Sequence, residues 1–214
     1  MKQYRHLICL LAVFYSAVIT ISCNGSSGGG GTPPGDLPQV VFLADKEELG
    51  KVELYASFNS GTTVIKISGT LASGSDVTDF KISPDGTKVA YRADQDTPGI
   101  FELYVVNVDG GAVVKASGTL ALILGENVGT DFAWSPDSSL IAYRAGTDPL
   151  NGNLGLFTVD PDGFPNKRID DALGAAQAVL DFAWAPNGSR IAYRSDQDFP
   201  GIFELYTNLS DGTN

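Results

Sequence analysis

The sequence has 214 residues, enough for one domain with a sizeable hydrophobic core. Its formal net charge of −11 argues against a nucleic-acid-binding protein, which needs a basic surface. Glycine contributes 25 residues, and the many short runs rich in valine, isoleucine, tyrosine and phenylalanine favour an all-β chain.

Residues 1–22 are predicted to form a bacterial lipoprotein signal peptide. Lys2 and Arg5 precede an apolar run from Leu7 to Ser22, which has secretory length and is short for a membrane span. The run ends in ITISC, which resembles the lipobox of bacterial lipoproteins. That resemblance implies cleavage after Ser22 and a lipid anchor on Cys23 that ties the chain to a membrane. The alternative is an ordinary signal peptide with a chance cysteine.

Residues 23–38 are predicted to be a tether rich in glycine, serine and proline. By random-coil scaling this segment reaches about 20 Å, enough to hold a domain clear of a membrane surface. A tether directly after a lipidation signal predicts a location in the bacterial cell envelope, facing the periplasm or the cell surface.

Residues 39–214 repeat one pattern. The chain reads DFKISPDGTKVAYR from Asp79, DFAWSPDSSLIAYR from Asp131 and DFAWAPNGSRIAYR from Asp181. Each copy is two alternating runs joined by a Pro-Asp or Pro-Asn turn, which predicts two antiparallel strands. FELY-type and VVKASG-type runs follow, so each unit has four strands, here called a to d. A period of about 50 residues with four strands per unit is typical of a β-propeller blade.

The strand order predicts an incomplete propeller. The blades are predicted at residues 39–71, 76–120, 129–173 and 179–214, with strands b-c-d, a-b-c-d, a-b-c-d and a-b-c. The fold class is therefore all-β: about three and a half to four blades of four-stranded antiparallel sheets, forming an open arc. An open arc leaves apolar faces uncovered at both ends. The side chains expected there are Phe42 and Tyr55 in the first blade, and some of Phe182, Trp184, Tyr193 and Tyr206 in the last.

The turns carry a family resemblance. Ser83-Pro84-Asp85-Gly86, Ser135-Pro136-Asp137 and Ala185-Pro186-Asn187-Gly188, each followed by an IAYR-type strand, resemble the Pro-Asp variety of WD-type repeats in the TolB-like family. The resemblance implies a ring of six or seven blades, a periplasmic or cell-surface location, and binding of protein or peptide partners without catalysis in the propeller. Two alternatives stay open. One is an accessory propeller of a prolyl-oligopeptidase-type or tricorn-type peptidase, and the other is a calcium-stabilised adhesion or carbohydrate-binding module.

The residue inventory argues against an enzyme. The single histidine is His6, inside the predicted signal peptide, so the mature chain lacks the base of Ser-His-Asp and Cys-His catalysis. No nucleotide-binding glycine motif is present. We therefore expect a non-catalytic binding or scaffold module, with no cofactor other than possible calcium.

Two loops between strands b and c carry paired carboxylates. Asp94 and Asp96 form one pair, and Asp196 and Asp198 form the other. Alternate acidic residues can bring two carboxylates to one calcium ion or to another ligand. The alternative is a polar loop in which aspartate caps its own turn.

Three further residue types recur at fixed places in the repeat. The arginines of strand b are predicted to pair with the aspartates that open strand a, rather than to bind an anionic ligand. The tryptophans are predicted to pack between blades rather than to form a ligand cage. The glutamates of strand c are predicted to lie at edges or blade surfaces. These sets are Arg92, Arg144 and Arg194 with Asp79, Asp131 and Asp181; Trp134 and Trp184; and Glu53, Glu102 and Glu204.

Overall fold

A computed structural model describes residues 40–58, 61–118, 127–148, 153–163, 165–171, 173–174 and 177–212. In these ranges the chain folds into four antiparallel sheets of three or four strands. Over the same ranges, no helix has the length and apolar character needed to cross a membrane. The predicted signal peptide, the tether and Cys23 lie outside the described residues.

The four sheets follow one another along the chain, and we call them blades 1 to 4. Blade 1 contains β1 (Val40–Ala44), β2 (Glu53–Phe58) and β3 (Thr63–Lys66). Blade 2 contains β4 (Val77–Ile82), β5 (Lys88–Ala93), β6 (Glu102–Asn107) and β7 (Val114–Lys115). Blade 3 contains β8 (Asn127–Trp134), β9 (Ile141–Asp148), β10 (Asn153–Val159) and β11 (Lys167–Arg168). Blade 4 contains β12 (Val179–Trp184), β13 (Arg190–Ser195) and β14 (Glu204–Leu209).

The predicted fold class is confirmed. Each sheet is an antiparallel meander in chain order, and the blades contain strands b-c-d, a-b-c-d, a-b-c-d and a-b-c. Strand a of blade 3 is the longest of its kind: β8 starts at Asn127, ahead of the predicted blade start at residue 129.

The turn between strands a and b shows why the Pro-Asp signal works. Asp137 accepts hydrogen bonds from the hydroxyls of Ser135 at 2.6 Å and Ser139 at 2.8 Å, and these bonds lower the pKa of Asp137. The next residue must adopt a positive φ, which glycine does without strain. Gly86 and Gly188 occupy that place with φ of 73° and 71°, whereas blade 3 uses Ser138 with φ of 63°.

The hydrophobic core lies between the blades. One cluster of buried side chains joins blades 1 and 2, a second joins blades 2 and 3, and a third joins blades 3 and 4. Among the described residues, no cluster joins blade 4 to blade 1. The four blades therefore form an open arc, in which blade 4 has a covered side towards blade 3 and an open side opposite.

Candidate functional site

The tryptophans connect strand a of one blade to strand a of the preceding blade. The indole Nε1–H of Trp134 donates to the carbonyl of Lys81 at 2.9 Å, and that of Trp184 donates to the carbonyl of Ala133 at 3.1 Å. Trp134 is buried and Trp184 is half-buried. The predicted packing role between blades is confirmed, and each indole also satisfies its polar atom there.

The arginines of strand b reach in the opposite direction, to the next blade. Arg92 Nε donates to the carbonyl of Val128 at 2.8 Å, and Arg144 Nη1 donates to the carbonyl of Val179 at 2.5 Å. No described strand lies in the corresponding place beyond blade 4. Arg194 is exposed there, and its guanidinium instead bonds Asp181, which raises the pKa of Arg194 and lowers that of Asp181.

The predicted arginine–aspartate pairs form in two of the three blades. Arg144 Nε lies 2.6 Å from Asp131 Oδ2, and Arg194 pairs with Asp181. The prediction is wrong in blade 2, where Arg92 donates to the Thr78 hydroxyl at 2.8 Å.

The local partners explain this exception in blade 2. The Asp79 carboxylate accepts the backbone N–H of Phe80 at 2.8 Å. The Arg92 guanidinium lies 3.8 Å from the centre of the Phe101 ring, an arrangement in which cation and ring attract. Burial of Arg92 lowers its pKa to about 10.

The first D-x-D loop uses its carboxylates separately. Asp94 accepts the backbone N–H groups of Asp76 and Gly99, one on each oxygen and both at 2.7 Å. Asp96 instead lies 2.5 Å from Lys115 Nζ. Asp94 therefore ties the b–c loop to the segment before strand a, while Asp96 pairs with strand d.

The second D-x-D loop repeats this geometry. Asp196 accepts the N–H groups of Ala178 and Gly201, each at 2.7 Å, and Asp198 is exposed. Within the described ranges, no group of three or more His, Cys, Asp or Glu side chains is placed to hold a metal ion. The contacts fit the alternative in which aspartate caps the turn. Calcium binding at these loops stays a prediction.

The glutamates of strand c were expected at edges or blade surfaces, and two of them are buried instead. Glu53 and Glu102 are only 2% exposed, so their predicted place at a surface is wrong. Strand d covers them and supplies a cation: Lys66 Nζ lies 3.0 Å from Glu53, and Lys115 Nζ lies 2.8 Å from Glu102. Burial opposes the charge on Lys115, but hydrogen bonds to the carboxylates outweigh it and raise the Lys115 pKa. Glu204 is exposed, because blade 4 has no described strand d.

The open side of blade 4 exposes residues that the other blades bury. The second residue of strand c is leucine in blades 1, 2 and 4. Leu54 and Leu103 are 0% exposed, whereas Leu205 is 72% exposed. Large apolar side chains near Leu205 in sequence, or on strand a of the same blade, are also exposed: Leu180, Phe199, Ile202 and Phe203.

The exposed residues are not the ones predicted from the sequence. Tyr55 and Tyr193 are buried, and Phe42, Phe182, Trp184 and Tyr206 are half-buried. The aromatic face of blades 2 to 4 points towards the preceding blade, where the ring pairs stack, as Tyr193 and Tyr206 do at 5.6 Å. The leucine face points towards the following blade. Alternation along strand c predicts that the aromatic and leucine side chains lie on opposite faces of the sheet. It does not predict which face meets the preceding blade and which meets the following one.

No family model and no curated protein matches the chain. Among solved structures, one described as a TolB from Agrobacterium tumefaciens is 22% identical, with a TM-score of 0.49 over 81% of this chain. A structure of prolyl endopeptidases is 15% identical, with a TM-score of 0.54 over 86% of this chain. The tricorn protease is 14% identical, with a TM-score of 0.53 over 78% of this chain.

The chain spans only part of each of these proteins. It covers 58% of the TolB chain, 28% of the prolyl endopeptidase chain and 15% of the tricorn protease chain. At such identities the likeness carries the fold alone. The two likenesses with TM-scores above 0.5, to the prolyl endopeptidase and the tricorn protease, agree with the four sheets and their order, and the chain has the fold of a partial β-propeller.

Proposed function

We propose that this chain is a non-catalytic module of the bacterial cell envelope that binds a protein or peptide partner. The observation that carries the proposal is the open side of blade 4, where Phe203 and Leu205 are exposed while Leu103 of blade 2 is buried. Soluble monomers rarely expose large apolar patches, and such patches mark sites of protein association. A partner that covers this side would bury the same kind of surface that the chain already buries three times between its own blades.

The contacts of the acidic residues support a non-catalytic role. Asp94, Asp196 and Glu102 are all engaged in hydrogen bonds or ion pairs that hold strands and loops together. These contacts favour a structural role for the three carboxylates over a role in chemistry.

The envelope location rests on the N-terminal sequence and on the resemblance of the Pro-Asp turns to the TolB-like family. We expect Cys23 to be the mature N-terminus and to carry lipid. Mass spectrometry of the membrane fraction should find a diacylated Cys23 peptide, and a Cys23→Ala variant should leave that fraction. An unmodified Cys23 peptide, or mature protein that retains residues 1–22, would overturn the anchor.

The binding role is tested by photo-crosslinking in bacterial cells. A photoreactive phenylalanine analogue is placed at Leu205 or, as the control, at Leu49, which is 94% exposed on blade 1, distant in sequence from the open side. We expect a discrete adduct with one envelope protein from position 205 and none from position 49. Equal adducts from both positions, or none from either, would contradict a partner site on blade 4. An adduct with a hydrolase would favour the alternative of a peptidase accessory domain.

A further inference from the structure

The last strand of blade 4 is an edge that the other blades do not have. In blades 1 to 3, strand c pairs with a short strand d: β2 with β3, β6 with β7, and β10 with β11. Over the described ranges, the sheet of blade 4 ends at β14, which pairs with β13 alone. An edge strand presents a row of backbone N–H and C=O groups to any extended segment that can pair with it.

Strand d brings a cation to the same place in each of the three blades. Its basic residue lies opposite an aromatic ring of strand c, as Lys115 does across from Tyr104; the other two pairs are Lys66 with Tyr55 and Arg168 with Phe157. In blade 2 the Tyr104 hydroxyl donates to Glu102 Oε2 at 2.8 Å, and Lys115 donates to the other oxygen, Oε1, at 3.0 Å. Blade 1 repeats this triad with its own tyrosine, glutamate and lysine.

Two residues after that cation, the chain brings an acceptor to a backbone N–H of strand c. The N–H of Leu103 donates to the Ser117 hydroxyl at 3.1 Å, and the residue between, Ala116, donates its own N–H to the Leu103 carbonyl at 2.8 Å. The equivalent acceptors are Ser68 in blade 1 and Asp170 in blade 3. In all three blades, strand c thus contacts the same order of residue types: a basic residue, an apolar residue, then Ser or Asp.

Blade 4 contains the receiving half of this arrangement. Tyr206 donates to Glu204 at 3.1 Å, as the tyrosines of blades 1 and 2 do to their glutamates. In the described part of the chain, Glu204 has no basic partner. By alternation along the strand, the backbone N–H groups of Leu205 and Thr207 point to the open edge, where strand d would accept them.

Outside the described ranges, the 214 residues contain two basic residues, Lys2 and Arg5, both in the predicted signal peptide. We propose that the edge of β14 binds an extended segment of a partner protein, with Lys or Arg, then a small or apolar residue, then Ser or Asp. The segment adds as the fourth strand of blade 4 by β-augmentation, and its cation pairs with Glu204. This inference rests on the proposed function and names the class of partner segment.

A peptide with the chain's own strand d tests the inference. The probe is fluorescein-labelled GAVVKASG, the sequence of residues 111–118, added to the full chain in mild detergent and followed by fluorescence anisotropy. The comparison peptide GAVVEASG places a carboxylate opposite Tyr206 and beside Glu204. We expect it to bind at least about ten-fold more weakly, because like charges on neighbouring strands repel. In the protein, Glu204→Gln should weaken the lysine peptide about three- to five-fold, the range for a partly exposed ion pair.

Two further variants separate strand addition from charge attraction. Thr207→Pro removes an N–H from the open edge but no bond to β13, so it should abolish peptide binding while the sheet persists. Glu48→Gln removes the same charge from an exposed place on blade 1 and should leave affinity unchanged. Equal binding of the two peptides, or full binding to Thr207→Pro, would overturn the inference. Absence of peptide binding with the position-205 crosslink intact would overturn strand addition alone, whereas loss of both would also remove the proposed function.

Discussion

Replacing Trp134 with alanine is expected to lower the free energy of unfolding by about 3–5 kcal/mol, the range for a buried aromatic side chain. Trp134 is buried among residues of blades 2 and 3, including Leu103 and Phe132. Its indole also bonds the Lys81 carbonyl, which would lose a partner inside the interface. The loss therefore combines a cavity with an unsatisfied acceptor. Urea denaturation followed by circular dichroism measures it.

Two controls assign the effect to the interface between blades. Trp184→Ala should cost less than Trp134→Ala, because Trp184 is only half-buried at the corresponding place in blade 4. Trp134→Phe keeps an aromatic ring but removes the donor to Lys81, so it should cost about 1–3 kcal/mol. A change near zero for Trp134→Ala would mean that this side chain faces solvent, and the interpretation as blade packing would be wrong.

Much of the fold can be predicted from the sequence, because the same strand pattern occurs in several copies. The copies at Asp79, Asp131 and Asp181 predict strand, turn and strand, and the structure has β4 to β5, β8 to β9 and β12 to β13 there. In the residues that the structure describes, blade 1 has no strand a and blade 4 has no strand d, as the comparison of the copies predicted. Repetition replaced the weak local signal of a single short strand with a consensus.

The sites were harder to predict, because they depend on which face of a strand meets which neighbour. Glu102 looked like a surface residue in a FELY run, but strand d buries it and pairs it with Lys115. The sequence suggested that Asp94 and Asp96 bind one cation together. In the structure, Asp94 caps a turn and Asp96 pairs with a lysine. Such roles arise from contacts between strands that are distant in sequence, and strand periodicity alone does not specify them.

The second large effect concerns a matched pair of leucines. Leu103 and Leu205 occupy the same position in strand c of blades 2 and 4, and are 0% and 72% exposed. Leu103→Ala should therefore lower the free energy of unfolding by about 2–5 kcal/mol, as for other buried leucines. Leu205→Ala should change it by less than about 0.5 kcal/mol, as for an exposed side chain.

This pair tests the central claim, that blade 4 keeps its outward side open for a partner. The measurement is urea denaturation of wild type, Leu103→Ala and Leu205→Ala under identical conditions, with protein concentration varied to detect self-association. The account predicts a large loss for Leu103→Ala and almost none for Leu205→Ala in the unbound chain. A loss of about 2 kcal/mol or more for Leu205→Ala would show that the chain itself buries this leucine, and the proposed binding surface would not exist.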